Sequence, residues 1–335
     1  MTPAEASGRE ANSVRQNIEK LLCVFMENCS FYITIVIGAY CLVVLPEIYR
    51  FHAQAKASSS PFVYSELLIV VVGLVASAGL YFLTPGLFGN YVSKNLAETQ
   101  YRREGNAARQ ARMLNYIHGM VYYPLSFTAG LVLTKGSDLR PKLFGGRFNG
   151  MEFVNIWPQD IPDPLRWYFL FQLGHHIERA LVLVIYKRKT NDFFTMNLHH
   201  LLTILLMLYS YLMRQLFWGI PVVLIHDMSD SLLNATKFFR EIKPLKRLLS
   251  PTFAAFWASW LFTRVFVYTI EILGPLKYIL IHPSEAINAY FYTTLFQVVC
   301  LHMLGVLNYY WSFMLTKMLY NKLTAKSEKN AMDGE

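Results

Sequence analysis

Between Asp192 and Lys237 the chain reads DFFTMNLHHLLTILLMLYSYLMRQLFWGIPVVLIHDMSDSLLNATK. Two apolar runs of about twenty residues, the length that crosses a hydrocarbon core of about 30 Å, flank a link at Arg214 so short that they must form a tight helical hairpin. Into these runs the sequence places Asp192, His199, His200, His226, Asp227, Asp230 and Lys237. Titratable groups at membrane depth are expensive, so they mark function by default.

The rest of the chain has the same character. Its 335 residues are 54% hydrophobic and only 16% charged, which excludes an ordinary soluble domain of this length. Eight spans are predicted, near Phe31 to Pro46, Ser65 to Thr84, Met113 to Leu133, Leu165 to Tyr186, Phe193 to Met213, Phe217 to Ala235, Phe253 to Leu273 and Ala289 to Leu319. The expected fold is therefore an all-α polytopic membrane protein, whose first span is short and ends at Pro46. Met1 to Asn28 is polar, without the apolar core or small-residue cleavage site of a signal peptide, so the first span is expected to stay in the mature protein. Cys23, Cys29, Cys41 and Cys300 have neither metal-ligand nor redox spacing and read as buried free thiols.

Charge placement gives an orientation. With a cytosolic N-terminus, about 20 of the 31 basic residues fall in cytosolic segments, among them Arg9, Arg15, Lys20, Lys94, Arg102, Arg103, Lys187, Arg188, Lys189, Lys237, Arg240 and Lys317. Only about 8 fall opposite, and the positive-inside bias then puts both termini in the cytosol. The net charge of +9 is thereby explained by topology. Nucleic-acid binding is not expected, because the basic residues are dispersed over separate loops.

The fifth span enters after Asp192, so His199 and His200 lie roughly 10 Å below the cytosolic surface. The sixth returns toward the cytosol and exits near Lys237, which puts Asp230 roughly 10 Å and His226 roughly 16 Å deep. His226 and Asp230 are four residues apart and Asp227 and Asp230 three, so these side chains can share one helix face. Facing lipid, such a set would be prohibitive; it must face a bundle interior or a wet cavity. Imidazole suits proton transfer near neutral pH or acceptance of an acyl group, and a carboxylate can orient it and stabilise its cation.

Two competing readings concern the remaining histidines. Membrane di-iron oxygenases need about eight histidines in repeated clusters, and the nine here, with His52, His118, His282 and His302 isolated, do not form them. A small metal site from His199, His226 and Asp230 stays open on geometry, but no metal is assigned. His175, His176 and Glu178 in the fourth span, followed at once by Arg179, read as a structural ion pair or helix contact.

At these residues the chain resembles the ceramide synthases. The run Asp192-Phe193-Phe194-Thr195-Met196-Asn197-Leu198-His199-His200, then Ser210-Tyr211, Gly219, His226-Asp227-Met228-Ser229-Asp230, Leu233 and Lys237, is similar without insertion to the longevity-assurance motif of the TLC domain. The likeness extends to Tyr123-Pro124-Leu125-Ser126-Phe127, Gly130, Trp157, Pro158, Tyr168, Gln172-Leu173, Arg264 and Tyr310-Trp311-Ser312. It departs at Thr195 and Asn234, where many members have Glu, at Arg214 and Phe217, where many have Asn and Arg, and at Asn308, where a His is common. No homeobox-like segment separates the second and third spans.

The resemblance implies a six-helix TLC-type bundle over residues 113–320 enclosing a polar catalytic chamber, preceded by two further spans and a basic loop in 1–112 and followed by a flexible charged tail, 321–335, with Ser327 a modification site. It implies an endoplasmic-reticulum acyltransferase that moves a fatty acyl group from acyl-CoA to the amine of a sphingoid base, whether dihydrosphingosine, sphingosine or phytosphingosine. Acyl-CoA is then a co-substrate, and no further cofactor is expected. The implied catalytic residues are His199, His200, His226, Asp227 and Asp230, with His199 carrying the acyl group or acting with His200 as general base; those for substrate are Asp192, Arg264, Lys237 and Tyr211. Lys187, Arg188 and Lys189 could meet CoA phosphates or simply anchor topology, while Tyr211 and Trp311 also suit packing. By family analogy the lumenal connection Gly274 to Ser284 helps to set chain length, and homo- or heterodimers are expected. The alternative within the same domain class is a non-enzymatic member acting in lipid sensing, trafficking or translocation.

Overall fold

The computed structural model describes residues 3–57, 64–96, 106–150, 161–186, 192–282 and 288–332. Eight helical rods make it up: α1 Pro3–Ala57, α2 Leu68–Asn95, α3 Asn106–Leu133, α4 Asp163–Tyr186, α5 Phe193–Leu212, α6 Leu216–Glu241, α7 in three consecutive segments, Leu249–Trp260, Leu261–Leu273 and Gly274–Ile281, and α8 Phe291–Met332. No strand occurs among the described residues. Six of the rods are long and apolar enough to cross a membrane; α3 and α4 are long enough but more polar. The protein is thus an all-α multi-pass membrane protein, as its hydropathy predicts.

Two ends differ from the sequence reading. The first span does not stop at Pro46, because α1 continues through it to Ala57; a membrane helix tolerates proline where neighbouring groups take up the freed carbonyl. The last span does not stop at Leu319 either, and α8 runs to Met332 through most of the segment read as a tail. That stretch is rich in Lys, Leu and Ala, good helix formers, and meets no Gly or Pro before Gly334.

Six rods, taken in the order α3, α4, α5, α8, α7, α6, succeed one another around a ring, with α2 packed on α3 and α4, and α1 along α5 and α8. The outer rods show large apolar side chains to the bilayer, such as Leu42 (68% exposed) and Phe82 (73%). Since lipid is as apolar as leucine, close packing and polar pairs hold the rods together. Glu27 and Glu47 of α1 show how. Glu27 accepts from the backbone N–H groups of Phe194 (2.6 Å) and Thr195 (3.1 Å) and from the Thr195 hydroxyl. Glu47 accepts from those of Tyr292 (3.4 Å) and Thr293 (2.7 Å) and from the Thr293 hydroxyl at 2.7 Å. Each carboxylate fills the orphan donors at another helix's N-terminus, where negative charge is favoured. Twenty residues of helix separate the two, about 30 Å, so α1 is fastened to the ring at both faces of the membrane.

The α2–α4 crossing is backbone on backbone. A Cβ on Gly174 would stand 2.2 Å from the Val70 carbonyl oxygen, and one on Gly73 equally close to that of Phe171. Neither neighbour can move without displacing a helix. Gly174→Leu is therefore expected to destabilise by about 3 kcal/mol, the upper part of the overpacking range. The thermal midpoint in detergent reads this, with Gly79→Leu, whose Cβ meets nothing within 4 Å, as the unaffected control.

Candidate active site

The link between α5 and α6 turns at Arg214, whose φ of 53° is the left-handed conformation that ends a helix sharply. Gln215 N–H donates back to the Ser210 carbonyl at 2.7 Å. The two helices leave the link as an antiparallel pair. They face each other across a chamber, which α4 and α8 complete.

The chamber has a polar end and a long apolar body. His199 of α5, His226 and Asp230 of α6, and His176 of α4 line the polar end. Thr203, Leu206, Met207, Val222, Val223, Leu301 and Leu304 line the body, and Ser210, Trp218 and Gln297 close it. The α5 residues recur at helical spacing, 199, 203, 206, 207 and 210, so one face of that helix forms a wall. The next residue, His200, is turned about 100° away and is not among the lining residues.

His226 donates Nδ1–H to the Val222 carbonyl, 2.7 Å away, because a carbonyl can only accept. Its Nε2 is buried and has no protein partner, so the neutral ring presents a lone pair there. His199 likewise has a buried Nδ1 without a partner, and its ring meets Trp311 edge-on at 5.3 Å. Unpartnered imidazole nitrogens cost free energy in a dry interior, and a site that must bind a reacting group is where that cost persists.

Asp230 and Asp227 part company. Asp230 pairs with Arg264 at 2.5 Å, and Arg264 also donates to Ser229 Oγ (2.8 Å) and the His226 carbonyl (3.2 Å) while stacking on Trp260 at 4.0 Å. Arg264 belongs to the π-helical middle of α7, a winding often found where a helix serves a functional site. Asp227 faces away from the chamber, accepting from Ser126 and from Gln172 Nε2 (2.8 Å), with Tyr122 donating to Gln172. The expected His226–Asp227 neighbours are thus not a hydrogen-bonded dyad. Consecutive residues on a helix point about 100° apart, and here the carboxylate ties α6 to α3 and α4.

The other predicted residues are spread out. Asp192 is exposed at the N-terminus of α5, about 10 Å of helix before His199. Lys237 places Nζ 5.8 Å over the Tyr116 ring, well above Asp230. Tyr211 lies beyond the opposite end of the chamber and donates to Glu66 at 3.0 Å, which also takes Arg166 at 2.7 Å. Trp157, Pro158, Lys187, Arg188, Lys189 and Ser284, with the Ser327 side chain, lie outside the described residues.

His176 is the site residue the sequence reading did not assign. It was grouped with His175, yet the two rings go to different places. His175 joins a buried hub in which Ser77 Oγ lies 2.8 Å from its Nδ1 and 3.4 Å from His118 Nε2 and donates to Glu178 at 3.0 Å. His118, His175 and Glu178 have metal-ligand atom types within 4.8 Å of one another. Arg179 already neutralises Glu178 at 2.5 Å, which makes the hub a helix contact with an ion pair, as expected.

The profile of the TLC domain family matches residues 112–317. The chain is 24% identical over 236 residues to ceramide synthase hyl-1 of Caenorhabditis elegans, covering 67% of this chain and 61% of that one. It is 28% identical to ceramide synthase LOH1 of Arabidopsis thaliana, over 50% of this chain and 55% of the relative. With human ceramide synthase 4 the identity is 28%, over 49% and 40%. The matched stretch is thus about half the length of these relatives.

Proposed function

The chain belongs to the TLC domain family, and on that premise we propose that it is a ceramide synthase, transferring a fatty acyl group from acyl-CoA to the amine of a sphingoid base. The observation that carries this reading is the chamber, with imidazoles and a carboxylate at one end of a long apolar body. A thioester carbonyl at the polar end and its hydrocarbon tail in the body would match it group for group. The basic residues of the connecting segments support cytosolic termini and a cytosolic approach of CoA, and an endoplasmic-reticulum location follows from the same family reading.

In the reaction the acyl carbon exchanges a C–S bond for a C–N bond. His226 Nε2 removes a proton from the attacking amine, and the departing CoA thiolate takes one up. His199, unpartnered at Nδ1, either forms an intermediate acyl-imidazole or acts as a second base. Asp230, held by Arg264, stabilises the imidazolium as it forms. Asp227 acts in this scheme by tying α6 to α3 and α4 rather than by touching the acyl carbon, and His200, off the chamber wall, is given no step. No cofactor is required.

The depth of the chamber bears on the donor. His199 to Ser210 is eleven residues, about 16 Å of helix. An extended chain advances about 1.25 Å per carbon, from ~1.52 Å bonds at ~111°, so about thirteen carbons fit above Trp218. Purified protein given a sphingoid base and a series of acyl-CoAs should form N-acylated base, with rates highest near that length. No product with any donor would sink the enzyme reading; product with a flat length profile would sink only the ruler.

A further inference from the structure

Asn308 is wholly buried, and neither its Nδ2 nor its Oδ1 has a hydrogen-bond partner. A buried amide with both ends unpaired is rare and asks for a reason. Its place on α8 supplies one. Gln297, Leu301 and Leu304 line the chamber; Asn308 is not itself a lining residue, but at 100° per residue it falls about 20° around the helix from Gln297, on the same face one turn beyond Leu304. One turn further on, Trp311 meets the His199 ring at 5.3 Å. Side chains on a helix lean toward its N-terminus, which tips Asn308 back toward Leu304 and the chamber. The strongest donor nearby, Arg264, is already committed to Asp230, Ser229 and the His226 carbonyl.

We propose that Asn308 is a catalytic residue, donating Nδ2–H to the acyl carbonyl oxygen as it becomes an oxyanion while Oδ1 accepts an N–H of the incoming amine. The assignment rests on the acyltransferase reading. When a nitrogen attacks the acyl carbon, the electron pair of the C=O bond moves onto oxygen; it returns as the C–S bond breaks and the thiolate leaves. A preorganised neutral donor at that oxygen is satisfied only in the transition state, which is why it stands unpaired in the free protein.

The test compares turnover with stability in the full-length protein in detergent. Asn308→Leu removes both polar ends at nearly constant size. Turnover is expected to fall by about 10²–10³-fold, the effect of losing one such donor, with KM for acyl-CoA little changed. The thermal midpoint should stay level or rise, because an unpaired buried amide has been removed. A purely structural amide predicts the opposite, a lower midpoint with turnover per folded molecule intact. Should Asn308→Leu fail to accumulate, Asn308→Gln decides: it keeps the amide but shifts it by one methylene, and about 10²-fold should be lost. Asn308→His, which retains a ring N–H, should recover most of the loss. Wild-type turnover in the Leu or Gln variant overturns the assignment alone. A wild-type protein that makes no N-acylated base overturns the acyltransferase reading and this assignment with it.

Discussion

Arg264→Leu should cost about 3 kcal/mol of stability, the low end of the range for breaking a buried ion pair. The guanidinium is 2% exposed, the Asp230 side chain 20%, and the two are 2.5 Å apart. Removing the cation strands a carboxylate that water reaches only through the chamber, and it also frees Ser229 and the face of Trp260. Arg264→Lys should recover only part of the loss, since one ammonium cannot reproduce a fork of donors lying flat on an indole. The decisive variant is Arg264→Leu with Asp230→Leu. A pair replaced by apolar side chains leaves no unpaired charge, so the thermal midpoint in detergent should return close to wild type. N-acylation should nevertheless stay low, because Asp230 no longer supports the imidazole. A double variant as unstable as Arg264→Leu alone would show that packing of the long side chain, and not charge pairing, is what the site needs.

The distribution of legible and illegible features follows from range. Hydropathy fixes each rod locally: eight spans were expected, and the described residues form eight rods, six of them long and apolar enough to cross a membrane. Helical spacing put His226 and Asp230 on one face, and they share the chamber. It grouped Asp227 with them as well, and there it is corrected: a residue 100° from His226 can serve either of two neighbours, and the choice is made by Ser126 and Gln172 on other helices. The Arg264–Asp230 pair spans 34 residues and is invisible without the ring. Thr195 is the clearest case. It stands where many members carry Glu, and here a carboxylate reaches it from Glu27, 168 residues away, which accepts from its N–H and its hydroxyl. A short link fixes where α5 and α6 meet but not how closely they run beyond it, and here a chamber opens between them.

His199 carries the largest expected effect on activity. Its Nδ1 is buried without a partner, and it lies at the polar end of the chamber with His226 and Asp230. His199→Ala should lower N-acylation by at least about 10³-fold, the upper part of the range for one positioned acid–base group, and by more if the ring is the nucleophile. Rate alone cannot separate those roles, but the order of events can. If His199 takes the acyl group first, wild-type protein given acyl-CoA without sphingoid base gains the mass of one acyl chain and releases CoA. His199→Ala gains nothing. His226→Ala then forms the adduct and fails to discharge it, because the base that deprotonates the amine is missing. If the amine attacks the thioester directly, no protein accumulates an adduct, and both variants lose rate in a single step. An adduct in wild type that persists in His199→Ala would move the acyl group to another residue, and His176, the third imidazole lining the chamber, would be the first to replace.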